Sequence, residues 1–324
     1  MTNSMAARKL GRGGPSLTTI GFGGGPAGWL TGETADATAS AAIEAAWVAG
    51  IRYFDTAPYY GYGNSERRLG GVLRSKPRAD FVVSSKVGRL IKPRFESHNS
   101  AGQIVYDYSR DGALRSIEAS LSRLGLDRID IALIHDIDTW THGEQQPTHF
   151  AAARDGAYRA LADLKAEGHI AAIGLGVNEW QVCRDFAKSV PIDCCLLAGR
   201  LTLLEQNAAE NFLPFCEREG IGLIIGGPFN SGILATGAIA GAQYNYAPAP
   251  ADILARVRRL EAICKRYGVG LAAAALAYPL RFAAVTSVIP GMASAAEVGM
   301  MRTHCTTIPA GLWDELATDG QEDD

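Results

Sequence analysis

The sequence predicts a closed (β/α)8 TIM barrel. Three observations carry this: about eight short, nearly all-apolar β-rich runs, helical patterns alternating strictly with them, and glycines placed just past helix ends. Strands that are apolar throughout suit a parallel sheet covered on both faces. Strict alternation over about eight repeats favours a barrel over an open doubly wound sheet.

The opening stretch RKLGRGGPSLTTIG reads as a short N-terminal β-hairpin leading into the first barrel strand. Barrel strands are predicted at 17–21, 52–55, 81–87, 129–135, 170–177, 193–198, 222–226 and 284–289. Helices are predicted between them at 38–49, 65–74, 112–124, 158–167, 179–189, 208–219, 251–267 and 271–280. Gly125, Gly168, Gly220 and Gly268 follow four of these stretches, as helix C-caps do. Three long connections, 88–109, 136–156 and 228–250, all follow strands. On a barrel they lie together on the C-terminal face, where loops shape a substrate pocket.

No composition shift divides the 324 residues, so a single domain over 1–324 is expected, with a solvated, disordered tail at 319–324. Charged residues make up 20% and apolar ones 47%, with a net charge of −3. That balance, with no basic patch, argues against a nucleic-acid partner. The lack of an apolar run of about 18 residues argues against a membrane span. The start, MTNSMAARKLGRGG, has no apolar secretory core. The six cysteines sit mostly in apolar segments, and the adjacent pair Cys194–Cys195 has no C-x-x-C spacing. They read as reduced core thiols of a cytoplasmic protein.

Gly23 to Gly28 matches the G-x-G-x-x-G pattern and follows a strand. A Rossmann phosphate loop would need an acidic residue about 20 residues on. Asp55 lies too far along, and Pro26 interrupts the backbone N–H groups that would face phosphate. A Gly-rich first barrel loop is the simpler reading.

The chemistry is concentrated at the ends of the early strands. The second strand ends on Asp55, the third reaches Lys86 and the fourth ends on His135. Such strand ends converge on one pocket of a barrel. Tyr59, Tyr60 and Tyr62 stand on the loop after Asp55. A tyrosine that exchanges protons near neutrality needs its pKa of about 10 lowered, and a buried cation at about 4 Å supplies that effect. Lys86 is the candidate cation, Asp55 would keep it charged, and His135 would donate a hydrogen bond to the reacting oxygen. No further His or carboxylate closes the later strands, which end at Asn178, Arg200 and Pro228, so no metal site is expected. Without a nucleophile or a redox centre, hydride must come from a bound cofactor, and nicotinamide is the simplest choice.

The segment from Phe54 to Gly70, FDTAPYYGYGNSERRLG, resembles the signature of the aldo-keto reductase family. The SSK at 84–86, the LIH at 133–135, Asn178 and the Ile-Pro-Gly ending at Gly291 keep the family order over nearly the whole chain. The resemblance implies NAD or NADP bound without a Rossmann domain. It also implies a tetrad of Tyr60 as acid/base with Asp55, Lys86 and His135. It places Asn178 on the nicotinamide carboxamide and Phe229, Asn230, Ser231 and Gly232 around the pyrophosphate. Ala198 stands where the family has a Gln, and Gly226 or Gly227 where it has a stacking aromatic. Near the adenosine end, the stretch from Gly291 to Glu297 holds no cation, and Glu297 would repel a 2′-phosphate. NAD is therefore the expected cofactor, with NADP as the alternative that Arg302 would rescue.

The stretch HDIDTWTHG at 135–143 resembles the branch containing aldose, fucose and galactose dehydrogenases and pyridoxal 4-dehydrogenase. The expected function is a sugar hemiacetal dehydrogenase of the D-threo-aldose or L-fucose type, acting on a small-molecule substrate. Asp136, Trp140 and Tyr59 are its candidate substrate contacts. Three alternatives stand beside it: a pyridoxal 4-dehydrogenase, a broad NADPH aldehyde reductase, and a nucleotide-sensing regulatory barrel.

Overall fold

Two strands, β1 (Ala7–Lys9) and β2 (Ser16–Thr18), pair antiparallel as the expected hairpin. The barrel strands follow as β3 (Phe22–Gly23), β4 (Tyr53–Asp55), β5 (Val82–Val87), β8 (Ile131–His135), β9 (Ala172–Val177), β10 (Cys194–Ala198), β11 (Gly222–Gly226) and β14 (Val285–Ile289). Two-stranded ribbons are inserted between them: β6 (Arg89–Ile91) with β7 (Ile104–Tyr106), and β12 (Gln243–Tyr244) with β13 (Ala247–Pro248). The computed structural model describes residues 5–92, 104–305 and 307–319.

The eight barrel strands run parallel in the order β14-β11-β10-β9-β8-β5-β4-β3. Parallel bridges Ile20↔Val288 and Gly23↔Gly291 join the outer strands and close the ring, giving the predicted TIM barrel. The core has two layers. Tyr53, Ile131, Leu133, Cys194, Leu196 and Ile224 fill the interior, and Leu10 and Leu17 of the hairpin join this cluster. A larger cluster packs helices such as Ala35–Val48 and Ala251–Arg266 against the outer face of the strands. A strand residue therefore meets apolar neighbours on either side, which is why the runs do not alternate.

Seven of the eight predicted strands overlap a barrel strand. The first is displaced: residues 17–18 belong to the hairpin and the barrel strand is Phe22–Gly23. Leu17 is fully buried as part of the hairpin's contact with the barrel interior, so burial made the stretch look like a barrel strand. The predicted helix 208–219 is two helices, Asn207–Asn211 and Leu213–Glu219, because Pro214 starts a new helix and offers no N–H to continue the old one. The connection 136–156 is largely helical, through Thr139–His142 and Gln146–Ala152. Helices Ala295–His304 and Ala310–Asp319 add to the expected set. Asp319, assigned to the tail, ends the last of these, and 320–324 lie outside the described residues. All six cysteines are free thiols, five of them buried. No helix among the described residues is long and apolar enough to cross a membrane.

Candidate active site

The C-terminal mouth of the barrel gathers Asp55, Tyr60, Lys86 and His135. Asp55, Lys86 and His135 are almost fully buried, at 2%, 2% and 4% exposure. Each ends or nearly ends its strand, and parallel pairing of β4 with β5 and of β5 with β8 sets them side by side. Tyr60 comes from the turn after β4. Its position depends on two glycines: a Cβ at Gly61 would stand 1.9 Å from the Gly28 carbonyl oxygen, and one at Gly28 would stand 2.6 Å from the Tyr60 carbonyl oxygen. Gly61 also has a φ of +60°. The Gly-rich first loop thus serves close backbone packing beneath Tyr60, and residues Gly25–Trp29 form a short helix there.

Lys86 Nζ donates to both Asp55 oxygens at 2.9 and 2.8 Å and to the Thr56 carbonyl at 2.9 Å. Ser84 Oγ donates to Asp55 Oδ1 at 2.7 Å, and the Tyr53 hydroxyl lies 2.9 Å from that serine. Burial opposes the Lys86 charge, but Asp55 and Tyr60 more than offset it, so its pKa is raised and the ammonium persists. Asp55 is pushed up by burial and pulled back by the Lys86 charge and the Lys86 and Ser84 hydrogen bonds.

The Lys86 ammonium stands 4.6 Å from the Tyr60 ring centroid. The expected net lowering of the phenol is absent. Tyr60 keeps part of its surface at the mouth, yet lost solvation dominates. Its hydroxyl is pushed up to about 12, with Lys86 lowering it and Asp55 and Asp136 adding to the rise. Tyr60 is therefore a neutral phenol near neutral pH. The His135 ring meets it edge-on, centroids 6.0 Å apart at 87°. Burial, Lys86 and Arg89 push the imidazole well below its ordinary value, so it is neutral as well.

Beyond His135 lies a polar cluster that sequence reasoning only partly found. Asp136 has a φ of +48° and pairs with the Arg89 guanidinium. Its Oδ2 is 3.4 Å from His135 Nε2. Burial, and the neighbouring Asp138 charge, push Asp136 up to about 6 against the pull of Arg89. Arg89 Cζ stacks 3.6 Å over the Tyr59 ring. The Tyr108 hydroxyl donates to the His135 carbonyl at 2.7 Å and to the Asp136 carbonyl at 3.1 Å. Asp136 thus points into an ion pair beside the histidine, and Tyr59 forms the floor of that pair. Arg89, Tyr108 and Trp29, which packs on Tyr59 at 5.5 Å, were not anticipated. The available signal was Arg89 three residues after Lys86 across Gly88, whose φ is +99° and whose added Cβ would meet the Tyr108 ring at 2.2 Å.

The remaining predicted contacts spread around the same face. Trp140 is 61% exposed on the helix Thr139–His142, with Arg200 Cζ 5.8 Å from its ring centroid. Asn178 donates its backbone N–H to Asp138 Oδ2 at 2.8 Å, and its side chain makes no hydrogen bond among the described residues. Phe229 packs on the outer core. Asn230 is fixed by Thr202, which donates to Oδ1 at 2.5 Å, and by its own bond to the Gly199 carbonyl at 3.2 Å. Asn230, Ser231 and Gly232 carry φ values of +44°, +59° and +99°, and Ser231 is exposed. Gly227 and Gly291, at the ends of β11 and β14, are exposed too.

These open backbone segments lie beyond the seventh and eighth barrel strands, beside a helix N-terminus capped by Ser294, which accepts from the Glu297 N–H at 3.2 Å. That is the part of a barrel where phosphate groups are held, and it fits a dinucleotide. The Asn230 side chain serves the loop, which leaves ligand contact to backbone groups. Glu297 Oε2 accepts from the Ala293 N–H at 2.7 Å, so its charge is held at this end of the site.

Comparison with known proteins identifies the family. The profile of the Aldo/keto reductase family matches residues 19–301. Pyridoxal 4-dehydrogenase of Microbacterium luteolum is 43% identical over 332 aligned positions, covering 97% of each chain. D-threo-aldose 1-dehydrogenase of a Pseudomonas species is 39% identical over 318 positions, covering 94% of each. An aldo-keto reductase of Bacillus halodurans shares the fold with a TM-score of 0.77 at 23% identity, over 97% of this chain and 96% of that one. The chain belongs to the aldo/keto reductase family and is an NAD(P)-dependent oxidoreductase acting on CH–OH groups.

Proposed function

We propose that the protein oxidises a cyclic hemiacetal to a lactone with NAD. Aldose 1-dehydrogenation of the D-threo-aldose or L-fucose type is the first form of this reading and pyridoxal oxidation the second. Two similar relatives support it: one acts on D-threo-aldoses and the other on pyridoxal. These substrates share one chemistry, because pyridoxal closes through its neighbouring hydroxymethyl group into a hemiacetal, as an aldose does. The carbon to be oxidised then carries a hydrogen, a ring oxygen and a hydroxyl in both.

The observation that carries the reading is the meeting of Tyr60 with the buried Asp55, Lys86 and His135. In this role Tyr60 and His135 flank the reacting oxygen. In the oxidising direction Tyr60 acts as the phenolate and takes up the hydroxyl proton as the hydride leaves; the Lys86 charge stabilises that phenolate, and Asp55 holds the charge in place. A bound nicotinamide supplies the hydride acceptor. Asn178 offers an unengaged amide to the carboxamide of that ring, and the segment from Phe229 to Gly232 with Gly291 holds the phosphates. Trp140 with its neighbour Arg200 offers an aromatic face at the rim. NAD is preferred because the stretch from Gly291 to Glu297 has no cation and places a carboxylate there.

The test is turnover of L-fucose, L-galactose, D-arabinose, pyridoxal and simple aldehydes with each cofactor, followed at the nicotinamide absorbance with product analysis. Lactone formation from a sugar or from pyridoxal with NAD is expected. Reduction of open-chain aldehydes with NADPH, and no oxidation of any hemiacetal, overturns the proposal.

A further inference from the structure

The Arg89–Asp136 pair is closed on one side and open on the other. Arg89 Nη1 donates to Asp136 Oδ2, and the Tyr59 ring backs the guanidinium at 3.6 Å. Asp136 Oδ1 and Arg89 Nη2 make no hydrogen bond among the described residues. Neither is enclosed: the enclosed nitrogens without a partner in this cluster are Arg89 Nε and His135 Nδ1. The two side chains keep 12% and 10% of their surface exposed. Arg89, Asp136 and Tyr59 all follow the C-terminal ends of barrel strands, so this open side belongs to the mouth that also exposes part of Tyr60.

The pair also stands beside the reacting centre. Asp136 Oδ2 is 3.4 Å from His135 Nε2, and Nδ1, across the ring, is enclosed. Nε2 is thus the nitrogen left to donate to a reacting oxygen. A hydroxyl on the carbon next to the reacting one comes within a hydrogen bond's length of that oxygen, which brings it to the pair. A hydroxyl donates and accepts at once, so it satisfies both open atoms. A carboxylate or phosphate there is repelled by Asp136, and an ammonium by Arg89. A bare methylene leaves two charged groups covered and unpaired.

We infer that Asp136 and Arg89 form a specificity site for a neutral hydroxyl on the carbon adjacent to the one oxidised, with Asp136 Oδ1 accepting its hydrogen and Arg89 Nη2 donating to its oxygen. This deepens the hemiacetal reading and rests on it for the direction of hydride transfer. It names the substrate class: aldoses with a 2-hydroxyl, ahead of 2-deoxy sugars and simple alcohols. In pyridoxal the carbon next to the reacting one bears no hydroxyl, so the pair favours the sugar form of that reading. The Tyr59 ring holds the guanidinium, and the Tyr108 hydroxyl donates to the carbonyls of residues 135 and 136, so the two open atoms keep their places before substrate arrives.

The experiment compares kcat/KM for D-arabinose and for 2-deoxy-D-ribose, the same sugar without its 2-hydroxyl, with NAD and the full chain at about pH 8, where Asp136 is ionised. L-fucose and L-galactose are set against their 2-deoxy forms in the same way. The wild type should favour each 2-hydroxy sugar by about 10- to 100-fold, the range of one hydrogen bond to a charged group. The 2-hydroxyl withdraws electrons and by itself slows hydride departure, so electronics oppose this preference. The double variant Arg89→Met with Asp136→Asn leaves no lone buried charge and suits the positive φ at 136. It should lose most of the preference. A change that only disturbs His135 lowers both sugars together and leaves their ratio alone. Equal turnover of a sugar and its 2-deoxy form in the wild type overturns the inference, as does a wild-type ratio in the double variant. The wild-type ratio suffices if the variant does not fold. If no hemiacetal is oxidised, the functional proposal falls, and the ratio is read for reduction of glyceraldehyde against propanal. A preference for glyceraldehyde that the double variant loses upholds the site, and an unchanged ratio overturns it. Failure to turn over glyceraldehyde as well overturns both.

Discussion

Lys86 Nζ stands 2.9 and 2.8 Å from the two oxygens of Asp55, with less than 3% of either side chain exposed. Neither charge would survive there without the other, since isolated ions in a protein interior neutralise. The pair keeps a permanent ammonium 4.6 Å from the Tyr60 ring. Without it Tyr60 would rise further still, because Lys86 is the largest influence working against burial.

Replacing one member of this pair should cost more than replacing both. Lys86→Met leaves a buried carboxylate uncompensated, and such losses run at about 3–5 kcal/mol. The double variant Asp55→Leu with Lys86→Met removes the uncompensated charge and should recover most of that. Urea unfolding of the three proteins decides the matter. A double variant no more stable than Lys86→Met would show that packing, not charge, sets the cost.

Tyr60→Phe removes the hydroxyl and keeps the ring that packs against His135. The expected result is a fall in kcat/KM of about 10²–10⁴-fold, the range for a lost acid/base group. Nicotinamide binding, followed by fluorescence, should stay within a few-fold. Undiminished turnover would remove Tyr60 from the chemistry.

The meeting of Asp55, Lys86 and His135 was legible in the sequence because barrel strands bring their own ends together, so residues ending consecutive strands are neighbours whatever their separation along the chain; Tyr60, on a loop beside Tyr59 and Tyr62, was singled out only by the family resemblance. Strand positions were legible wherever the apolar run met solvent only at its ends. They were not at Leu17, where a hairpin residue buried against the barrel interior carries the same signal as a strand. The Arg89–Asp136 pair was hidden for a different reason. Its members are 47 residues apart, and Arg89 lies on an inserted ribbon whose course the barrel rule does not specify. The phenol's direction also escaped: the sequence shows a cation nearby but not the depth of burial that outweighs it.

Asp136 makes folding stability depend on pH. Its ordinary value is 3.8 and its folded value about 6. Between these the folded chain keeps a proton that the unfolded chain releases. Stability from this group is therefore full below about 4, falls as pH rises, and is lost above about 6. A shift of about two units corresponds to about 3 kcal/mol. Urea unfolding of the wild type and Asp136→Asn across this range isolates the effect, because other groups cancel in the difference. The wild type should lose ground to the variant as pH rises from about 4 to about 7, and a constant difference would contradict the raised value.

Glu297 sits in the first turn of the helix Ala295–His304, where its carboxylate accepts from the Ala293 N–H at 2.7 Å. On the proposed placement of the nucleotide, a carboxylate fixed there adds negative charge where a 2′-phosphate would need a positive partner. Gln also serves at this capping position, so Glu297→Gln removes the charge and keeps the cap. Relief of one partly screened like-charge contact is worth about 1 kcal/mol, or about fivefold. The variant should gain about that factor in kcat/KM with NADP and change little with NAD. The gain should shrink as salt is raised, because screening already weakens the repulsion in the wild type. An unchanged ratio of the two cofactors in Glu297→Gln would mean that the discrimination is made elsewhere along the nucleotide.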